Sequence, residues 1–162
     1  MSDDAHLYRP GVGILLLNAR REAFVAQRID NPGPAWQMPQ GGLEQGESPE
    51  VGALRELEEE TSIGPDKVAV LAEMPTWQHY DLPTELTGRL WKGKYRGQRQ
   101  KWFCGVFLGQ DSDVDLAIGC PEFSSWKWVP VPQIVDLIVP FKRNLYREIV
   151  QHFRPFWAER PL

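Results

Sequence analysis

Residues 38–63 read MPQGGLEQGESPEVGALRELEEETSI, and the fold turns on how this stretch is parsed. It holds seven carboxylates (Glu44, Glu47, Glu50, Glu56, Glu58, Glu59 and Glu60) against one base, Arg55. Ser48-Pro49 predicts a helix start, because serine accepts a hydrogen bond from a first-turn N–H and proline has none to leave unpaired. Glu50 in the first turn complements the helix dipole, and Gly64-Pro65 closes the element. Along a helix from Ser48 to Ile63, Ala53, Leu54, Leu57 and Thr61 share an inward side. Glu56, Glu59 and Glu60, spaced i, i+3 and i+4, cluster on another.

Like charges at that spacing oppose each other by roughly 0.2–0.5 kcal/mol per pair. Arg55 can relieve Glu59 one turn on, but it cannot satisfy three carboxylates. A hard divalent cation can, since Mg²⁺ takes oxygen ligands and accepts a few carboxylates together with substrate phosphates. Gly41-Gly42, just upstream, lets backbone carbonyls approach the same cation. Taken alone, a glutamate-rich helix is more often a solvated surface, so the spacing of its neighbours has to decide.

Working outward, the chain has 162 residues, 42% hydrophobic and 25% charged, which predicts a soluble domain spanning 1–162. The apolar run VPVPQIVDLIVPF is cut by prolines and Asp136, and no stretch reaches the roughly 20 residues of a membrane span. The opening MSDDAHLYRP is acidic and polar, without a signal-peptide pattern. Cys104 and Cys120 have no metal or redox spacing, Cys104 lies in an apolar run, and a reduced, cytoplasmic protein is the expectation. Net charge is −4 while residues 38–63 carry −6, so the remainder carries +2. An acidic patch in a mildly basic body suits a site that holds cations and attracts polyanions.

VGILLLN (12–18) reads as a buried strand, and EAFVAQRI (22–29) as its partner across a turn at Asn18-Ala19-Arg20-Arg21. NPGPAWQMPQGG (31–42) reads as loop. KVAVLAEM, KWFCGVFLG and SWKWV (125–129) read as further strands. In the second, Trp102, Cys104, Val106 and Leu108 share one face, and Phe103 and Phe107 take the other. Phe141, Leu145, Ile149 and Phe153 recur every four residues, predicting an amphipathic terminal helix. Most of the seven tryptophans are expected in the core. The order β, β, α, β, β, β, α predicts an α/β fold, a mixed sheet covered by helices on both faces.

Gly41, Glu47, Arg55-Glu56-Leu57, Glu59-Glu60 and Ile63 reproduce eight of the nine specified positions of G-x5-E-x7-R-E-U-x-E-E-x-G-U, where U is a bulky aliphatic. This resembles the Nudix box, the loop–helix–loop signature of Nudix hydrolases. The departure is Ser62 in place of the final glycine, for which a backbone adjustment at the helix exit is expected. YRPGVGILLLN, WQMPQGG, YDLP, QKWF, PEFSSWKWV and VPFKRNLY are similar to one subgroup, the bacterial RNA pyrophosphohydrolases and plant-type asymmetric diadenosine tetraphosphate hydrolases.

The resemblance implies an α/β/α sandwich around a mixed sheet and cleavage of nucleotide polyphosphates with Mg²⁺, or Mn²⁺, as cofactor. It implies metal binding by Glu56, Glu59, Glu60 and the Gly41 carbonyl, joined by Glu122 of PEF from outside the box. Glu47 and Arg55 would hold the helix against its loop. Glu56 and Glu122 are the alternatives for the base that deprotonates the attacking water. Phosphate contacts fall to Arg9, Arg28, Tyr80 and Lys142, and Phe141 either stacks on a base or packs in the core. His79 reads as a surface histidine. RLWKGKYRGQRQK (89–101), with six bases and no acid, reads beside such a site as an electrostatic funnel.

Three functions follow as expectations: removal of pyrophosphate from 5′-triphosphate RNA, asymmetric splitting of diadenosine tetraphosphate into ATP and AMP, or a non-catalytic nucleotide-binding module. The first ranks highest. The nucleotide polyphosphate, including the 5′ end of RNA, is the expected partner, with no membrane involved.

Overall fold

The buried run around Leu15 becomes the middle of a seven-stranded mixed sheet in a computed structural model that describes residues 4–30, 35–87, 90–118 and 121–158. The side chains of residues 4, 5, 91 and 92 lie outside that description, as do Cys120 and Arg89 of the basic run. The strands are β1 (Tyr8–Leu17), β2 (Glu22–Arg28), β3 (Gln40–Gly42), β4 (Val68–Glu73), β5 (Gln78–Asp81), β6 (Gly97–Phe107) and β7 (Phe123–Pro130). The helices are α1 (Pro49–Thr61), α2 (Ile134–Leu137), α3 (Arg143–His152) and α4 (Arg154–Trp157), with short 3-10 turns between elements. The main sheet runs β4-β6-β1-β2-β7, with β3 on β1 and β5 on β6. β1 and β6 are parallel, and the other pairs are antiparallel.

Alternation along β1 divides the core. Val12, Ile14 and Leu16 join Phe24, Ala26, Phe103 and Phe107 against Ala53 and Leu57 of α1. Leu15 and Leu17 join Val25, Trp102 and Cys104 on the opposite face, against Ile134, Leu145, Tyr146, Ile149 and Phe153. One apolar layer therefore covers each face of the sheet, the arrangement the strand periodicity predicts.

The hairpin turn is held by Asn18 Oδ1, which accepts from the backbone N–H of Arg20 and Glu22, both at 2.9 Å. Ser48 caps α1, its hydroxyl accepting from Val51 N at 3.4 Å. The helix ends earlier than Gly64-Pro65 suggests, because Ser62 takes a left-handed conformation with φ of 69°.

Three expectations change. β3 and β5 were not visible as strands, being too short to show periodicity without the edges they pair with. Trp102 is fully buried, but Trp36, Trp126, Trp128 and Trp157 are only partly so. Trp126 and Trp128 stand on β7, an edge strand, where one side of each ring has no neighbouring strand to cover it. Leu108 lies past the end of β6 and is exposed. Among the described residues no helix is long and apolar enough to cross a membrane.

Candidate metal and phosphate site

The carboxylates of α1 do not share one environment. Glu59 faces outward, Glu56 is half-buried, and Glu60 is 4% exposed. The rotation of the helix accounts for this: Glu60 follows Leu57 by nearly one turn and enters the seam between α1 and β3.

Arg55 is the organising base, and it reaches further than its sequence position suggests. Its Nε and Nη2 donate to the two Glu47 oxygens at 2.7 and 2.9 Å, a bidentate pair. Nη1 donates to Glu56 Oε1 at 2.9 Å and to Glu59 at 3.0 Å, and Nη2 also donates to the Gly42 carbonyl at 2.9 Å. Glu44 lies 3.0 Å from the same guanidinium. Beyond Glu59, the partner its helix spacing points to, Arg55 meets Glu44, Glu47 and Glu56, and its bonds to Glu47 and the Gly42 carbonyl tie loop to helix. Glu47 is held below the usual carboxylate range by Arg55, and the Arg55 pKa is raised chiefly by Glu47.

Of Glu56, Glu59 and Glu60, only Glu60 receives nothing from Arg55. One oxygen accepts the Gln40 backbone N–H at 3.1 Å. The other is sealed from solvent and no hydrogen-bond donor reaches it. Burial first, then the charges of Glu56 and Glu122, push the Glu60 pKa well up, with Glu122 within hydrogen-bonding reach. Glu56 is also raised, by burial against the opposing pull of Arg55. A buried, half-satisfied carboxylate facing two others is costly unless a cation joins them. Among the described residues, no three acidic, histidine or cysteine side chains already converge as a ready-made coordination shell. What fits a divalent ion is the donor chemistry: oxygen ligands only, one of them orphaned.

Gly41 makes this approach feasible, since a Cβ there would overlap the Glu56 carboxylate. Its carbonyl, however, points elsewhere. Ile14 N–H donates to Pro39 O and Leu43 N–H to Pro10 O. Bonded pairs recur every second residue in an antiparallel ladder, so Val12–Gly41 is the bonded pair between them. The Gly41 carbonyl thus faces β1, against the expectation that it reaches the cation. Gln40 turns its backbone the other way, toward Glu60.

Glu122 is brought in by β2 and β7: its carbonyl accepts from Ile29 N at 2.8 Å, one residue before β7 begins. Ser62, the departure from the motif, donates its hydroxyl to the Asp115 carbonyl at 2.8 Å while its N–H bonds Glu58 O.

A cationic and aromatic group adjoins the carboxylates. Lys142 is half-buried, with Nζ 5.3 Å from the Tyr80 ring centre and 5.9 Å from that of Phe141. The Tyr80 and Phe141 rings lie 6.0 Å apart. Burial, then the charge of Arg28, push the Lys142 pKa down to about 8, with Glu60 pulling the other way. Burial raises the Tyr80 pKa, and Arg9 opposes it. Arg9 lies over Gly42, where a Cβ would meet its guanidinium. Arg28 is partly committed to Asp30, at 2.8 and 2.9 Å, a partner the sequence reading missed. Phe141 packs against the core, one of its two alternatives, and stays part-exposed. His79 is exposed, edge-on to Tyr8. Of the basic run, Arg99 lies over Trp77 and Lys101 pairs with Glu73, so part of that charge is already engaged.

Residues 7–149 match the NUDIX domain family. The chain belongs to the Nudix family. Nudix hydrolases as a group depend on divalent metal ions, which agrees with the donor set around Glu60. The Nudix chain is 54% identical over 151 residues to an RNA pyrophosphohydrolase of Cereibacter sphaeroides, covering 93% of each chain. It is 54% identical over 154 residues to one from Rhodospirillum rubrum, covering 95% of this chain and 92% of that one. Its fold is shared with a C. elegans Ap4A hydrolase seen in a binary complex (TM-score 0.66, 20% identity, 91% and 99% covered). An E. coli dihydroneopterin triphosphate pyrophosphohydrolase also shares it (TM-score 0.69, 19% identity, 90% and 99% covered).

Proposed function

We propose that this Nudix hydrolase removes pyrophosphate from the 5′-triphosphate end of RNA. The observation that carries the reading is Glu60: a buried carboxylate with one oxygen that no donor reaches, beside Glu56 and Glu122 and next to a lysine–tyrosine–phenylalanine group. The relatives above, named as RNA pyrophosphohydrolases, agree with it in name and over nearly the full length.

Glu56, Glu60 and Glu122 would hold divalent cations, Mg²⁺ by preference and Mn²⁺ as substitute, with Glu59 at the outer edge. The Gln40 carbonyl replaces that of Gly41 as the backbone ligand, because it shares the side of the strand whose N–H binds Glu60. The cations supply neutralisation of the anhydride oxygens and acidification of the attacking water.

The chain's own residues do the rest. Arg9, Arg28 and Lys142 bind phosphate oxygens, with the Tyr80 hydroxyl as a neutral donor. Phe141 offers a face to the first base. Arg55 and Glu47 keep α1 at a fixed distance from Gly42, so that Glu56 does not swing into solvent. A water oxygen forms a bond to phosphorus while the anhydride P–O bond breaks. The water proton passes to Glu56 or Glu122, and pyrophosphate leaves with the bond's electron pair.

The test compares release of pyrophosphate from 5′-triphosphate RNA with turnover of diadenosine tetraphosphate, in Mg²⁺ and in EDTA. Faster turnover of the RNA, abolished by EDTA, is expected. Rapid consumption of the dinucleotide with the RNA untouched reverses the assignment, and no metal-dependent turnover of either returns the protein to a binding module.

A further inference from the structure

Behind Gln40 runs a row of side-chain amides that the carboxylate site does not use. Gln98 and Gln100 project from β6 on the face that carries Trp102, and both are buried. Trp102 Nε1 donates to Gln100 Oε1 at 2.9 Å. Gln100 Nε2 donates to Gln40 Oε1 at 2.7 Å and to Gln98 Oε1 at 3.0 Å.

The direction of this row is fixed by chemistry. An indole N–H donates and never accepts, so Gln100 must turn its oxygen to Trp102 and its NH₂ group the other way. An amide NH₂ likewise only donates, so Gln40 and Gln98 must offer it their oxygens. Their own Nε2 groups then point away from Gln100. Among the described residues nothing takes those protons, and neither nitrogen belongs to the sealed atoms without partners.

The location matters as much as the polarity. Gln40 is joined through its backbone to Glu60. Gln98 stands in register with Arg9 on β1 and with Tyr80 on β5, and the Tyr80 ring lies under Lys142. One end of the row therefore touches the carboxylates and the other the cationic group, the strip a polyphosphate would span. A Cβ at Gly11 would come within 2.7 Å of Gln98 Oε1, so glycine there leaves the row its space.

We infer that Trp102 and Gln100 are positioning residues that lock the side-chain amides of Gln40 and Gln98 as N–H donors toward the substrate's phosphate oxygens. The inference rests on the polyphosphate reading above. Neutral donors suit this strip, because they bind anionic oxygens without repelling any cation the neighbouring carboxylates would hold, and they cost no reorganisation when already aligned.

Two variants and a titration test it. Gln100→Glu can only accept, so it draws the NH₂ groups of Gln40 and Gln98 inward and turns their oxygens toward the substrate. KM for 5′-triphosphate RNA and Kd for a methylene-bridged nucleoside triphosphate should rise at least about 10-fold, the scale of one hydrogen bond made repulsive, with kcat changed by less than about threefold. Trp102→Phe releases the polarity without adding charge and should raise both constants about threefold or more. Thermal stabilisation by Mg²⁺ should persist in both. In the wild type, the Gln40 and Gln98 side-chain ¹⁵N–¹H resonances should shift as the methylene analogue is added. Binding constants within twofold of wild type in both folded variants overturn the inference, as do silent glutamine resonances in a wild type that binds the analogue. The titration decides even if a variant does not fold. A wild type that binds the analogue through shifted glutamines yet never cleaves triphosphate RNA retains the inference and removes the proposed function.

Discussion

Replacing Glu60 with glutamine separates the stability cost of the site from its catalytic use. In the wild type, Glu60 Oε1 accepts one backbone N–H and no donor reaches Oε2, with Glu56 and Glu122 nearby. A buried polar group left unsatisfied costs about 1–3 kcal/mol, and more when charged. Glutamine keeps the Oε1 acceptor and places an NH₂ donor toward two carboxylates. In EDTA at pH 7.5 the variant should therefore gain roughly 1–3 kcal/mol, which for a chain of this size is about 2–10 °C in Tm. The pH dependence has a definite sign. The Glu60 pKa is raised above 4.5 in the folded state, so its contribution is most favourable below that value and is lost as pH rises through the folded pKa. The advantage of Glu60→Gln in EDTA should shrink on acidification. Added Mg²⁺ should stabilise the wild type by mass action and the variant far less, while hydrolysis falls at least about 100-fold. Thermal unfolding with and without Mg²⁺ across pH 5–8 reads all of this. A variant less stable than wild type in EDTA, with an undiminished response to Mg²⁺, would mean that Glu60 is neither an unsatisfied charge nor a metal ligand.

Arg55→Lys keeps the charge but loses the bidentate pair with Glu47 and the bond to Gly42 O; urea unfolding should show a loss of about 1.5–3 kcal/mol, the scale of charged hydrogen bonds. Lys142 has its pKa pushed down to about 8, so KM for triphosphate RNA should climb as pH rises through that value, and Lys142→Arg should remove the climb. Because the unfolded lysine binds its proton up to about 10.5, Lys142 makes the substrate-free protein more stable as pH rises between the two values, which Lys142→Met should abolish. Ser62→Gly relieves a left-handed residue but deletes its bond to Asp115 O, and these offset to within about 1 kcal/mol; a loss beyond about 2 kcal/mol contradicts that balance.

Long elements with clear periodicity were legible in the sequence. α1 lies where Ser48-Pro49 and its apolar spacing put it, and Trp102, Cys104, Phe103 and Phe107 occupy the faces that alternation assigns. The short strands β3 and β5 were not legible, because a three- or four-residue strand is defined by the edge it meets. The motif spacing located the acidic cluster but treated its members as equivalent. Only the depth of α1 against β3 distinguishes buried Glu60 from exposed Glu59. The same cause moved the candidate carbonyl ligand from Gly41 to Gln40, since strand register decides which way each peptide faces. The amide row did leave a signal, Gln98, Gln100 and Trp102 at period two within GQRQKW, but polar residues at that period read as a solvent face until β6 is seen to be covered.

Crystals grown without metal and then soaked in Mn²⁺ test, by anomalous diffraction, whether Glu60 holds a divalent cation. A strong peak is expected beside the Glu60 carboxylate, flanked by Glu56, Glu122 and the Gln40 carbonyl, and absent in Glu60→Gln. Manganese found only on exposed acids such as Glu44 or Glu58, with Glu60 Oε2 still lacking a partner, would contradict it.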